Sequence, residues 1–371
     1  MAIWKIDELG EFVTLKRGYD LPQQKRKNGE IPIFSSSGVT GTHNEAMVEA
    51  PGVITGRYGT IGEVFFAETS FWPLNTTLYV ENFHENDEKF VYYFLKTLEW
   101  KKFASASAVP GINRNTVHKE IVRFPDFETQ QKIASVLSTI DKKIAVNKAI
   151  NDNLEQQAAT YFQELFINNA NPMWQISTIS DLGTVVGGST PSKTKPKYYT
   201  NNGIAWITPK DLSINKSKFI SHGENDITEL GLKNSSATVM PKGTVLFSSR
   251  APIGYIAIAS NEVTTNQGFK SVIPYSEIGT AFVYFFLKHS LPVIESAASG
   301  STFKEISGSA MKNIPAIIPD RNTLDQFNSF CAPIFAQQKI LEEQNHSLAM
   351  LRDSLLPKLM SGAIDIASIQ L

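Results

Sequence analysis

FVYYFLK at Phe90 to Lys96 returns as FVYFFLK at Phe282 to Lys288, 192 residues further along the chain. The pair Ile61-Gly62 recurs as Ile253-Gly254 at the same displacement. Self-similarity at a fixed displacement is the sequence mark of a repeated structural unit. The chain is therefore predicted to contain two copies of one unit of roughly 185 residues.

The composition is that of an ordinary folded protein. The chain has 371 residues, of which 42% are hydrophobic and 19% are charged. This length predicts two or three domains. The apolar runs are shorter than the ~18 residues of a membrane span, and the first residues lack the apolar stretch of a signal peptide. The single cysteine, Cys331, cannot form an internal disulfide, so we expect a cytoplasmic protein.

The charge is distributed unevenly along the chain. The formal net charge of −1 argues against a nonspecific polyanion binder. Residues 172–275 nevertheless hold 10 Lys and Arg against 6 Asp and Glu, whereas residues 126–171 hold 4 against 6. This pattern allows a local phosphate-facing surface, although an ordinary fluctuation of surface charge would look the same.

Each copy begins with short β-like stretches separated by Gly, Pro, Ser and Asn. In the first copy these include GEIPIF, GVITGR and EVFFA, and in the second GIAWITP, GTVLFSS and YIAIAS. Strands at such short spacing predict a compact, mostly β domain, with the FVYYFLK and FVYFFLK segments as a helix packed on its sheet.

Each copy ends in a long helical pattern with heptad spacing, which is typical of a coiled coil. The first helix is predicted to end at a linker, Asn168 to Pro172. Asn151 and Asn345 place a polar group at corresponding seam positions, a feature that sets register. The predicted seam consists of Ile133, Leu137, Ile140, Ile144, Asn151, Leu154, Tyr161, Leu165, Phe327, Ile334, Leu341, Asn345, Leu348, Leu355 and Leu359.

Two such helices would each be about 40 residues and roughly 60 Å long. A lone helix of this composition is marginal in water, so we expect the two to pack on each other. The alternative is that each helix packs only on its own β domain. Spacing alone leaves the relative direction of the two helices open.

The chain lacks the usual motifs of an enzyme. It contains no phosphate-loop, nucleophile-elbow or H-E-x-x-H motif, and its six histidines have no ligand spacing. Pro125-Asp126 with Glu128 and Lys132 faintly suggests a nuclease carboxylate set, but the second copy has Asn322 and Gln326 at those positions. The start of a helix is the better interpretation. We therefore expect a binding protein without a catalytic residue, metal or cofactor.

Two corresponding loops carry groups that suit a phosphate surface. VVGGSTPSKTKPKYY, at residues 185–199, combines hydroxyl groups and lysines, and its counterpart is LKRGYDLPQQKRK at residues 15–27. Backbone N–H groups, hydroxyls and lysines are the usual contacts of DNA phosphates. A glycine- and proline-rich hairpin with solvated lysines would look similar.

A second pair of loops centres on Arg57 in TGRYGTIG and Arg250 in SSRAPIG. Each arginine follows a β-like run and precedes a tight turn, which predicts a position at a loop rim. Arginine can form two hydrogen bonds with guanine, and amides such as Asn75, Asn266 and Gln267 can read adenine. A single turn arginine is more often an ordinary surface residue, but this one occurs in both copies.

The order of these segments resembles the specificity (S) subunit of type I restriction-modification systems. The resemblance covers nearly the whole chain and depends on several short segments taken together. They are L-x8-G at Leu9 to Gly18, G-G-S-T-P-S at Gly187 to Ser192, FVYYFLK, P-x4-Q-Q-K-I at Pro125 to Ile133, and L-L-P-K-L-M-S-G at Leu355 to Gly362.

This resemblance implies an α+β fold with a pseudo-two-fold internal repeat. Two mostly β target-recognition domains, at 1–125 and 172–319, would be separated by two antiparallel coiled-coil spacer helices at 126–171 and 320–371. Each domain would read one half of a bipartite double-stranded DNA site, and the helices would set the spacing. The chain would be non-catalytic, with two methyltransferase subunits docked on the helices and restriction (translocase) subunits completing the complex.

Two departures from the family pattern stand out. RGYDLP replaces the G-G-S-T-P-S form in the first copy, so the two domains are expected to read different sequences. Gln338 and Arg352 interrupt the seam of the second helix. Candidate DNA contacts, carried over by position in the repeat, are Lys16, Arg17, Tyr19, Ser36, Arg57, Tyr58, Asn75, Thr76, Arg114, Ser189, Thr190, Ser192, Lys193, Lys210, Arg250, Asn266 and Gln267.

One alternative class remains open. A duplicated protein-protein scaffold or a carbohydrate-binding module could use the same β domains. Duplex binding that weakens steeply with salt would separate the DNA-binding hypothesis from this alternative.

Overall fold

The computed structural model describes residues 3–105, 110–300 and 304–366. Residues 367–371 of the predicted 320–371 segment lie outside this range. The chain divides into two compact units, which we call unit 1 (residues 1–145 and 346–371) and unit 2 (residues 146–345).

Ten α-helices are assigned in the described residues. They are α1 (Leu9–Phe12), α2 (Glu88–Thr97), α3 (Arg114–His118), α4 (Phe127–Gln163), α5 (Pro209–Ile214), α6 (Glu229–Lys233), α7 (Thr280–His289), α8 (Leu291–Ser296), α9 (Gly308–Lys312) and α10 (Arg321–Met360). A π-helical turn, Glu164–Asn168, continues α4. Short 3-10 helices cover Gln23–Lys25, Trp100–Phe103, Ile179–Asp181 and Pro196–Tyr198.

The strands are short throughout the described residues. In unit 1 they are β1 (Trp4–Glu8), β2 (Thr14–Arg17), β3 (Ile31–Ser35), β4 (Gly38–His43), β5 (Gly52–Gly56), β6 (Val64–Ala67), β7 (Trp72–Pro73), β8 (Thr77–Asn82) and β9 (Ile121–Pro125). In unit 2 they are β10 (Gln175–Thr178), β11 (Gly183–Gly187), β12 (Tyr199–Thr200), β13 (Ile204–Ile207), β14 (Phe219–Ile220), β15 (Asn225–Ile227), β16 (Val245–Ser249), β17 (Ile253–Ala259), β18 (Thr264–Thr265), β19 (Lys270–Pro274) and β20 (Pro315–Ile318).

The main sheets of the two units share one order of four strands. Unit 1 has an antiparallel sheet β2-β8-β5-β6, a second sheet β4-β3-β7 and the two-stranded ribbon β1-β9. Unit 2 has β11-β19-β16-β17, extended by β14, a second sheet β12-β15-β13-β18 and the ribbon β10-β20. All six predicted β-like stretches contain one of these strands.

The repeated aromatic segments form helices α2 and α7, as predicted. Asp87 caps α2 by accepting a hydrogen bond from the backbone N–H of Phe90 at 2.8 Å, which satisfies one of the helix's unpaired N–H groups. Phe90, Phe94 and Leu95 are buried. Phe12 lies against this face, 5.0 Å from the ring of Phe94.

Both long helices contribute to both hydrophobic cores. In unit 1, Leu137 of α4 and Leu359 of α10 are buried in the same cluster as α2. In unit 2, Phe162 of α4 and Phe327 of α10 are buried in the same cluster as Phe282 of α7. α4 and α10 thus have side chains in the same buried cluster within each unit.

Polar contacts link α4 and α10 within each unit. In unit 2, Asn147 Nδ2 donates to Asn345 Oδ1 at 3.0 Å, and Gln338 Nε2 donates to the carbonyl of Asn151 at 3.1 Å. In unit 1, the guanidinium of Arg352 donates to Asp141 Oδ1 at 2.7 Å. Residues with higher numbers on α4 therefore contact residues with lower numbers on α10.

Every predicted seam residue is buried or partly buried. Ile133, Leu137, Ile140, Phe327, Ile334, Leu341 and Leu359 are buried, and Ile144, Asn151, Leu154, Tyr161, Leu165, Asn345, Leu348 and Leu355 are partly buried. The predicted heptad positions thus avoid the exposed faces of both helices, and their assignment to one continuous seam stays a prediction.

Replacement of Leu137 by Ala should destabilise the protein. Its side chain is fully buried, so we expect the free energy of unfolding to fall by about 2–5 kcal/mol through lost burial and an unfilled cavity. Val146, on the same helix, is 52% exposed and provides the control, since Val146→Ala should cost about 0.5 kcal/mol or less. Chemical denaturation of both variants measures the difference, and equal losses would contradict the packing.

Candidate nucleic-acid interface

An open cleft of about 620 Å³ lies on unit 1. It brings together five of the predicted DNA contacts from separate parts of the chain: Lys16, Arg17, Arg57, Tyr58 and Arg114. A concave surface lined by four cationic side chains is suited to a polyanionic ligand.

Arg57 is held in place from two sides. Its Nε donates to the carbonyl of Ile112 at 3.2 Å, and its guanidinium lies 4.5 Å from the centre of the Tyr58 ring. A side chain on Gly111 would collide with Tyr58, since a Cβ there would come within 2.1 Å of the ring. The bond to Ile112 uses Nε and not the two terminal nitrogens, the pair that can reach guanine O6 and N7.

The remaining cationic groups of the first cleft are more loosely paired. Lys16 contacts Glu81 at 2.5 Å, and Arg17 lies 3.7 Å from Asp20. These side chains are well exposed, so such pairs contribute little to stability and can exchange for a phosphate at small cost. Arg114 begins helix α3, which Asn113 caps.

Four predicted contacts of unit 1 lie outside the lining of this cleft. The hydroxyl of Tyr19 lies 3.0 Å from that of Tyr79, and the amide of Asn75 donates to Asp20. The carbonyl of Thr76 accepts hydrogen bonds from the backbone N–H groups of Arg57 and Tyr58. Ser36 lies beside the Gly56–Gly59 turn. Thr76 thus positions the arginine loop, and a direct DNA contact by any of the four stays a prediction.

Unit 2 carries a corresponding cleft of about 490 Å³. Six predicted contacts line it: Thr190, Lys193, Lys210, Arg250, Asn266 and Gln267. The two loops singled out in the second copy, at 185–199 and around Arg250, therefore meet at one surface.

Arg250 is bound differently from Arg57. Its guanidinium donates to Glu305 Oε2 at 3.2 Å, and Lys270 lies 3.8 Å from the other oxygen of that carboxylate. The Arg250 side chain is 36% exposed, so it remains accessible from the cleft. A ligand that engages the bonded nitrogen of Arg250 must first displace a carboxylate.

The amide groups of the second cleft are oriented by their neighbours. The hydroxyl of Thr190 donates to the amide oxygen of Gln267, and Asn266 Oδ1 accepts from the backbone N–H of Gly268 at 2.9 Å. Gly188 makes the close approach of the two loops possible, because a Cβ there would come within 2.0 Å of the carbonyl oxygen of Asn266.

Two predicted serines of unit 2 lie outside the cleft, and Lys210 in its lining has an acidic partner. Ser189 anchors its loop, since its carbonyl accepts from Trp206 Nε1 at 3.0 Å and its N–H donates to Thr265. The hydroxyl of Ser192 lies 2.9 Å from that of Thr194, and both serines lie outside the cleft lining. Lys210 pairs with exposed Glu224 at 2.6 Å.

Sequence reasoning missed several residues that line the clefts. Asn113 and Asn115 lie in the first, and Trp206, Thr208 and Asn225 lie in the second. The sequence signal for Asn113 was its position before a short helix, and Thr208 with Asp211 forms a capping box. Neither signal indicates that the residue faces a cleft.

Within residues 3–105, 110–300 and 304–366, no group of three or more His, Cys, Asp or Glu side chains is placed to hold a metal ion. The same part of the chain contains no helix with the length and apolar character of a membrane span.

A family model described as the type I restriction modification DNA specificity domain matches residues 1–156 and 171–345. The chain belongs to this family. The resemblance stated from the short segments is thereby confirmed, and so is a DNA specificity role at the level of the family.

Two relatives illustrate the similarity. The chain is 44% identical over 162 residues to the type I restriction enzyme MjaIX specificity subunit of Methanocaldococcus jannaschii, covering 43% of this chain but only 37% of that protein. It is 24% identical over 347 residues to the HindI specificity subunit of Haemophilus influenzae, covering 72% of this chain and 75% of that protein.

A solved structure shows the same fold. The S subunit of a type I restriction-modification system from M. genitalium superposes with a TM-score of 0.65 at 17% identity, covering 96% of each chain. The prediction of a mixed fold of β domains with long helices is confirmed at this coarse level.

The stability of unit 1 should depend on the protonation of His118. Its Nε2 accepts a hydrogen bond from the backbone N–H of Leu15 at 2.9 Å, and burial, with the charge of Arg114, lowers the pKa of His118 below 6.5. The folded chain thus takes up this proton less readily than the unfolded chain. The stabilising contribution is present above pH 6.5 and is lost as the pH falls through the folded-state pKa.

We therefore expect the Tm to decrease as the pH is lowered from about 7 to about 5, and His118→Gln should reduce this decrease. Exposed His346, also in unit 1, supplies the control, because His346→Gln should leave the pH dependence unchanged. Calorimetry at several pH values measures the effect. An unaltered slope in His118→Gln would exclude His118 as its source.

Proposed function

We propose that this chain is the DNA specificity subunit of a type I restriction-modification complex, with each unit reading one half of a bipartite duplex site. The observation that carries the proposal is the pair of clefts. In both, an arginine at the corresponding loop position lies among other cationic and amide side chains. Membership of the specificity-domain family supports the same function.

The recognition domains are proposed to comprise residues 1–125 and 172–319, and the spacer segments residues 126–171 and 320–371. We propose that α4 and α10 form an antiparallel coiled coil related by a pseudo-two-fold repeat. The descending order of contact positions on α10 and the shared strand order of the units support this arrangement. Such a rod would hold two half-sites at a fixed spacing on the DNA helix.

The chain itself is proposed to be non-catalytic. Two methyltransferase subunits would dock on the helices and supply S-adenosylmethionine chemistry, and restriction subunits would supply translocation and cleavage. Methylation of a stacked adenine requires the base to leave the helix, at a cost of about a few kcal/mol. The recognition domains would hold the flanking duplex during that step. We place the whole complex in the cytoplasm, together with the cellular DNA.

Salt titration of duplex binding tests the proposal. The target is first identified by methylome sequencing of a host that carries this gene with its methyltransferase, and the complex is then titrated with that duplex. We expect log K to fall linearly with log salt, with a slope of about −0.9 for each phosphate neutralised, and scrambled duplex to bind at least about 10³-fold more weakly. A flat slope or equal binding of both duplexes would instead favour a scaffold or carbohydrate-binding module.

The arginines test whether the two clefts read separate half-sites. Arg57→Ala and Arg250→Ala should each weaken specific binding by about 1–3 kcal/mol and relax base preference in one half-site only, a different half for each variant. Lys233→Ala, at an exposed lysine outside the second cleft, is the control for loss of one positive charge. Binding to a panel of duplexes with single base substitutions measures the effect. Equal weakening on every duplex would make either arginine a phosphate contact instead of a base contact.

A further inference from the structure

A set of five charged and amide side chains, two of them buried, lies apart from the second cleft. It joins Lys218, just before β14, and Lys288 of α7 to Glu155 of α4 and to Gln338 and Glu342 of α10. We call these five residues the polar clamp. All five belong to unit 2, and none of them lines the cleft.

Lys218 is the centre of the polar clamp. Only 7% of the residue is exposed, and its Nζ donates to Gln338 Oε1 at 2.6 Å and forms an ion pair with Glu155. The ammonium also lies 4.1 Å from the centre of the Phe335 ring. Burial lowers the pKa of Lys218, so its charge is retained at a cost that the surrounding groups must offset.

Glu155 and Glu342 connect α7 and the start of β14 to different long helices. Glu155 Oε1 accepts from Lys288 Nζ at 2.5 Å and from the Tyr284 hydroxyl at 3.2 Å, which ties α7 to α4. Glu342 accepts from the backbone N–H groups of Lys218 and Phe219 at 2.7 and 3.0 Å, which ties the start of β14 to α10.

Apolar packing between the same elements is already extensive. Phe282 of α7 lies 4.8 Å from Phe166, and Phe285 lies 6.1 Å from Phe335 of α10. Hydrophobic burial is non-directional, so it holds these surfaces together without selecting one rotation between them. Buried hydrogen bonds and ion pairs are directional, and they are lost when the surfaces rotate or slide.

We propose that the polar clamp fixes the orientation of the second recognition domain on the long helices and thereby sets which spacer length between the DNA half-sites is accepted. The inference rests on the proposed function. One base pair changes the position of a half-site by roughly 3.4 Å and its direction by roughly 34°. A domain that could turn by this amount would accept neighbouring spacers.

The clamp residues are positioning residues, so the readout must separate orientation from base recognition. We would compare wild type with Lys218→Met, and with Lys218→Met/Glu155→Leu in case a single change leaves an uncompensated buried charge and prevents folding. Lys233→Met is the matched control, since Lys233 is an exposed lysine of the same unit outside the clamp. Each variant is measured as the full chain in complex with its methyltransferase.

The probes are duplexes with both half-sites intact and the spacer changed by one or two base pairs, beside duplexes with single base substitutions in each half-site. We expect wild type and Lys233→Met to prefer one spacer by about tenfold or more. The folded clamp variant should lose at least about threefold of that preference while keeping its base preferences in both half-sites.

Two results would overturn the inference. A folded clamp variant with the spacer preference of wild type would show that packing alone orients the domain. Loss of base preference in the second half-site to the same degree as spacer preference would show a general structural defect. If wild type itself binds no duplex specifically, the proposed function fails together with the inference, which distinguishes that outcome from a failure of the clamp alone.

Discussion

The burial of one aromatic helix against both long helices is the constraint on which each unit depends. In unit 2, Phe282 contacts Phe162 and Phe166 of the α4 segment, and Phe285 contacts Phe327 of α10. Each aromatic side chain removes a large apolar area from water, and neither long helix offers enough apolar surface to fold alone. The β domain of each unit and the parts of the long helices within it therefore gain their stability from one shared core.

Apolar burial alone does not select one alignment of α4 and α10, so directional contacts between the two helices are needed. The long helices carry Asn147 and Asn151 on α4 and Gln338 on α10, and such polar side chains cost free energy to bury unless they find partners. Asn147 meets Asn345, and Gln338 meets the backbone of Asn151, so these contacts form together only in one alignment of α4 and α10. Arg352 with Asp141 adds a directional contact in unit 1. The polar positions that interrupt the heptad pattern are thus consistent with control of register.

Periodicity and recurrence were sufficient to predict six of the strands, the aromatic helices and the presence of the two long helices. They also placed Arg57 and Arg250 at corresponding loops. What they could not supply is the partner of each side chain, because that depends on contacts between distant residues. Glu305 lies 55 residues from Arg250, and Lys218 resembles any solvated surface lysine until Glu155 and Gln338 enclose it. The spacing of residues predicts which face of a helix or strand a side chain lies on. The charged neighbours of that side chain can be identified only from the folded structure.

The two clefts differ in a way that the repeat alone would not suggest. Arg57 donates from Nε to a neutral backbone carbonyl and lies against Tyr58, whereas Arg250 donates from a terminal nitrogen to the carboxylate of Glu305. The terminal nitrogens of Arg57 are thus left out of this bond, whereas one terminal nitrogen of Arg250 is already engaged by a carboxylate. The two clefts therefore offer surfaces of unlike chemistry on main sheets that share one strand order.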